Sequence, residues 1–90
     1  MAIPVKFRLS RHAEEEMVRR QIPRAWVESV LENPQQRVPQ SENKEVLQSR
    51  IESEDGKMYL LRAVVAMDRE PPVVVTVYRT SKVERYWRPE

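Results

Sequence analysis

The hydrophobic period of this chain changes from helical to strand-like at Asn33-Pro34, and that change limits the folds open to it. Before it, apolar residues recur at helical spacing. Beyond it they alternate, or run together in short β-branched stretches. A chain that spends its first two-fifths on helices and the remainder on strands is an α+β protein.

Local signals support each segment. Ser10 is placed to cap a helix over Arg11 to Arg20, with Ala13 and Met17 on its inner face. Glu14, Glu15 and Glu16 lie near the positive end of that helix dipole, and Arg19 and Arg20 near the negative end. Gln21-Ile22-Pro23 breaks the run, and Pro23 suits the first turn of a second helix. There Trp26, Val27, Val30 and Leu31 form one stripe, and Asn33-Pro34 ends it. Ahead of the hairpin, Val5, Phe7 and Leu9 alternate with Lys6 and Arg8 in a short strand-like start.

The rest reads as strands: a short edge over Gln35 to Pro39, then Val46 to Ser53, Met58 to Met67 and Val73 to Arg79. The only glycine, Gly56, follows Asp55 between the second and third of these, a strong hairpin signal. Pro39 restricts the first to a sheet edge. The expectation is a single domain over 1–90. A helical hairpin (about 10–33) packs on one face of a four-stranded, mainly antiparallel sheet (about 35–79), and a basic, aromatic tail follows (80–90).

Side chains alternate across a sheet, so each strand divides by parity. Leu47, Ser49 and Ile51 share one face, as do Leu61, Ala63 and Val65, and Val73, Val75 and Val77. These sets form the floor for the helices. The opposite sets place Gln48, Arg50, Arg62, Thr76 and Tyr78 on the other face, provided the hairpins pair in the obvious register. Such a face is either an ordinary half-solvated pleat covered by long polar side chains, or a basic surface for phosphate or RNA.

Composition narrows the chemistry. The chain has no cysteine and one histidine, so thiolate sites, disulfides and multi-histidine zinc sites are excluded. No metal or cofactor is expected. No apolar stretch approaches a membrane span, and Met1 to Lys6 is too short and too soon charged for a signal peptide, so a cytoplasmic protein without a membrane partner is expected. Of the 16 cations, 12 are arginine, the side chain suited to bidentate phosphate or carboxylate recognition.

His12 sits in the first helical turn near Arg8 and Arg11, where the helix terminus and the cations favour a neutral imidazole. It is either a base or a local packing and capping residue. From Tyr78 to Arg88 the sequence interleaves cations with Tyr78, Tyr86 and Trp87, a combination that contacts phosphates and stacks bases. Alternatively Tyr86 and Trp87 fold back on the helices to close the core. Metal-independent RNA cleavage needs a proton acceptor, cations at the phosphate and a donor for the leaving oxygen. His12 or Tyr78, Arg50 with Arg62 and Arg79, and Lys82 or Tyr86 are the residues that would fill those roles.

The segment Leu9-Ser10-Arg11-His12-Ala13, followed by Met17, Arg20 and Ile22 and then Val30-Leu31-Glu32-Asn33-Pro34, resembles the bacterial family catalogued as domain of unknown function 4258. The likeness continues through Thr76-Val77-Tyr78-Arg79-Thr80-Ser81-Lys82 to Tyr86. That family is similar to the RelE, ParE and BrnT toxins of toxin–antitoxin pairs. The resemblance implies a RelE-like arrangement and a toxin-type protein that cleaves RNA without metal, or binds RNA or the ribosome, with a cognate antitoxin as partner. By position it implies His12, Arg79, Lys82 and Tyr86 as the catalytic set. Arg50, Arg62, Tyr78 and Arg85 are the expected nucleic-acid contacts, the first three from strand parity and Arg85 from the basic tail. The alternative is a non-catalytic protein- or nucleic-acid-interaction module on the same scaffold, and a homodimer is compatible with either.

Overall fold

The computed structural model describes residues 7–89. Val5 and Lys6 of the N-terminal alternation lie outside them. The elements are β1 (Arg8–Leu9), α1 (Arg11–Arg19), α2 (Arg24–Glu32), β2 (Gln36–Pro39), β3 (Lys44–Glu52), β4 (Met58–Ala66), β5 (Val73–Thr80) and a one-turn helix, α3 (Val83–Tyr86). The strands form one five-stranded sheet in the order β1-β5-β4-β3-β2.

The expected four-stranded sheet is therefore corrected to five strands, and two helices become three. The added strand is the N-terminal alternation, which pairs parallel to β5 through Arg8↔Val73 and Leu9↔Val74, so the sheet is mixed. A two-residue pairing across more than sixty residues of chain leaves no local signal, because no turn joins the partners. Backbone bonds fix it: the Arg8 amide donates to the Pro72 carbonyl at 2.9 Å and the Ser10 amide to the Val74 carbonyl at 3.0 Å.

Ser10 links this strand to α1. Its hydroxyl oxygen accepts from the Ala13 amide at 3.0 Å, the expected cap, and donates to the Val75 carbonyl at 2.9 Å. At its other end α1 closes by a Schellman pattern, with the Ile22 amide on the Met17 carbonyl and the Gln21 amide on that of Val18. Gln21 holds φ at 54°, where glycine is the usual residue. Pro23 is the extended cap before α2, one position earlier than expected.

The helices cover one face of the sheet. Ala13, Met17, Ile22, Val27, Val30 and Leu31 pack with Leu47, Leu61, Ala63, Val65, Val74 and Val77 in one buried cluster. The floor agrees with strand parity except in β5. There Val64 faces Thr76 but Val65 faces Val74, so Val75 is an extra, bulged residue. Beyond it the alternation inverts. Val74 is fully buried under the helices, while Val73 and Val75 leave that floor and line a cavity on the other face.

Glu16 is the buried acid of α1. It accepts from Arg20 Nε at 2.9 Å and from Arg19. The Arg20 hydrogen bond holds its carboxyl below the ordinary 4.5, against burial and with help from the Arg19, Arg20 and His12 charges. A carboxyl more acidic in the folded than in the unfolded chain stabilises fully above its unfolded value and loses that contribution as pH falls through the folded one. Urea midpoints at about pH 7 and about pH 3 should therefore differ less for Glu16→Gln than for the wild type.

Candidate nucleic-acid interface

Parity and register together build the face away from α1 and α2. Pairings Gln36↔Gln48, Gln48↔Arg62 and Arg62↔Tyr78 set four polar side chains in one row across β2, β3, β4 and β5. Adjacent to it, Arg50 pairs with Leu60 and Leu60 with Thr80.

The row is hydrogen-bonded throughout. Gln48, wholly buried, donates from Nε2 to Gln36 Oε1 at 2.8 Å and to the Tyr86 carbonyl at 3.2 Å. Its Oε1 accepts from Arg62 Nε at 2.8 Å. Arg62 Nη1 donates to the Tyr78 hydroxyl. A fully buried amide needs such partners, since an unpaired one costs about 1–3 kcal/mol.

The chain after β5 folds over this row. Lys82 turns it, its amide donating to Thr80 Oγ1 at 3.1 Å, and α3 follows. Tyr86 then meets Tyr78 edge to face, with ring centroids 6.5 Å apart. The Arg62 guanidinium lies 4.4 Å from the Tyr86 ring centre, and that of Arg50 lies 4.2 Å from Trp87. Arg88 seals the end: its amide donates to Gln36 Oε1 at 3.0 Å, and its carbonyl accepts from Gln36 Nε2 at 2.6 Å. The Gln36 side chain thus pairs as a strand backbone would. Tyr86 and Trp87 close the outer sheet face rather than the helical core.

Ion pairing separates the arginines into two groups. On the helices, Arg11 pairs with Glu15 at 3.6 Å, Arg20 with Glu16 at 2.9 Å and Arg24 with Glu14 at 3.5 Å, and Arg19 also pairs with Glu16. Arg37 pairs with Glu45 at 2.6 Å. Among the described residues, Arg50, Arg62, Arg79, Lys82 and Arg85 form no ion pair. Three of these are stacked on aromatic rings instead. Arg62 commits Nε to Gln48 and Nη1 to Tyr78, and Arg50 shares Nε with Gln35, which leaves Nη2 of Arg62 and both Nη groups of Arg50 for an oxyanion, donors that a carboxylate partner would occupy.

The structure brings Arg50, Arg62, Tyr78 and Tyr86 together, with Lys82 and Arg85 exposed on the turn and helix that carry Tyr86. It does not bring His12 or Arg79 to them. Arg79 pairs with Leu61, faces the helix side and lies 5.1 Å from the Tyr59 ring centre, in a cleft shared with Gln21 and Trp26. His12 is exposed in the first turn of α1, two residues after Ser10. Ser10 is fastened at Val74 and Val75, about 13 Å along β5 from Arg79, since Val74 and Arg79 face Val65 and Leu61, four residues apart on β4. Sequence reasoning missed Gln36 as a member of the row. Gln48 belongs to the outward set by parity, but no local pattern encodes the β2–β3 register that brings Gln36 beside it.

Among the described residues no three His, Asp or Glu side chains gather as metal ligands, and no helix is long and apolar enough to cross a membrane. The sequence pattern of a family described as Domain of unknown function (DUF4258) matches residues 9–79. No curated protein and no solved structure matches the chain.

Proposed function

The chain belongs to the DUF4258 family, and from that footing we propose that it is a toxin-type RNA-binding protein, of the kind represented by RelE, ParE and BrnT, that contacts RNA with its outer sheet face. The observation carrying this reading is the set of arginines without carboxylate partners, Arg50 on Trp87 and Arg62 on Tyr86, at one end of that face. Phosphate oxygens take the guanidinium donors that Gln48, Tyr78 and Gln35 leave open, and bases take the ring faces opposite the guanidiniums, which together give binding tolerant of sequence. Lys82 and Arg85 add charge at the rim.

Binding is favoured over cleavage because the expected catalytic set is divided. Tyr86 lies on the outer face, Arg79 on the helix side and His12 at the far end of α1. In-line attack by a 2′-hydroxyl needs its base and its cations around one phosphate.

The test is fluorescence anisotropy with a labelled single-stranded RNA of about twelve nucleotides. The wild type should bind with an affinity that falls steeply with salt. Arg50→Ala and Trp87→Ala should each weaken binding by about tenfold, the loss expected of one stacked contact. A folded wild type with no salt-sensitive RNA binding overturns the proposal. RNA cleavage that His12→Ala or Arg79→Ala abolishes would instead establish an endonuclease.

A further inference from the structure

The outer face has a second basic end that the reading above leaves unused. Through Arg8↔Val73, Val73↔Ala66 and Ala66↔Lys44, the sheet sets Arg8 and Lys44 in one row, two small apolar residues between them. Arg69 joins them from the β4–β5 turn, and the three cations line a cavity of about 370 Å³ floored by Val73 and Val75. All three are exposed and, among the described residues, form no ion pair. Asp68 lines the same cavity, and Glu70 lines an adjoining one.

The position of this cluster matters as much as its charge. Arg62 and Ala66 stand four residues apart on β4, on the same face, so the two basic rows are about 13 Å apart. Between them lies the valine row of Val38, Val46 and Val64, which carries no charge. Positive, apolar, positive is a pattern suited to a flexible polyanion crossing the sheet along the strands. A folded acidic protein surface would more naturally meet one continuous patch.

We propose that Arg8, Lys44 and Arg69 form a second phosphate subsite, occupied by the same single-stranded RNA that contacts Arg50 and Arg62, so that the strand runs the length of the outer face. This rests on the RNA-binding reading and adds a path and a minimum length. A segment of about four or more nucleotides is needed to touch both ends. The bulge is part of the design, because the extra residue at Val75 turns Val73 outward beside Arg8 and lets β1 bring Arg8 to this face.

The experiment compares anisotropy of labelled oligouridylates of two and twelve nucleotides, over a salt series, on the wild type, on the combined Arg8→Ala/Lys44→Ala/Arg69→Ala variant and on Asp68→Asn. The triple variant should weaken twelve-nucleotide binding by about tenfold and flatten the slope of log affinity against log salt by about 2, from three lost phosphate contacts. Two-nucleotide binding should change far less. Asp68→Asn, which removes the opposing carboxylate, should tighten binding of the longer RNA. If the wild type binds but the triple variant retains its affinity and slope on twelve nucleotides, the subsite is refuted and the RNA-binding reading stands. If the wild type binds no RNA, both fall.

Discussion

Val74→Asp should leave the protein without a cooperative unfolding transition, while Val73→Asp should still fold. Val74 is wholly buried among the residues that α1 covers, with Leu9 paired beside it. An aspartate there places a carboxylate in an apolar cluster with no partner, at a cost of about 3–5 kcal/mol. That is most of what a chain of this size has, given a total of about 5 kcal/mol or somewhat more. Val73 lies on the outer face in the row of Arg8 and Lys44, so an aspartate there costs only the lower strand propensity, about 1 kcal/mol. Thermal melts by circular dichroism distinguish the two. Unbroken alternation along β5 predicts the reverse outcome, so the pair of variants tests the bulge directly.

Gln48→Ala should cost about 2–3 kcal/mol and also free the C-terminal turn. Gln48 is buried completely and joins β2, β4 and the Tyr86 carbonyl through three hydrogen bonds. Its loss opens a void and leaves Arg62 Nε without its acceptor. The readout specific to this network is Trp87, which rests against Arg50 at the end of the segment that Gln48 and Gln36 fasten. In a Trp26→Phe background, Gln48→Ala should shift Trp87 emission toward that of a solvated indole. Leu47→Ala should lower stability by a similar amount without that shift, because Leu47 belongs to the helix-side core. Equal emission in the two variants would mean that the turn does not depend on the glutamine row.

The helical hairpin and the three long strands were legible because their signals are local: a capping serine, dipole-matched charges, one apolar stripe per helix and an Asp-Gly turn. Parity along β3 and β4 correctly separated Leu47, Leu61, Ala63 and Val65 from Gln48, Arg50 and Arg62. It failed in β5 for Val73 and Val75, since one bulged residue adds a position without altering the run of valines that surrounds it. The candidate site was legible in part for the same reason. Arg50, Arg62 and Tyr78 follow from alternation, whereas the separation of His12 and Arg79 from them depends on which face and which end each element occupies.

The change of period at Asn33-Pro34 therefore determined by itself that a helical hairpin precedes β2 to β5, and the one apolar stripe on each helix and the alternation along the strands gave that hairpin one side of the sheet to cover. Tertiary structure alone decided that residues 8–9 complete the sheet as a fifth strand, that Val74 rather than Val73 faces the core, and that Tyr86 and Trp87 lie over the outer face. Periodicity reports only which side of its own element a residue occupies. Parallel pairing, a bulge and a returning tail are relations between distant segments, fixed by backbone hydrogen bonds and packing that no short window of sequence contains.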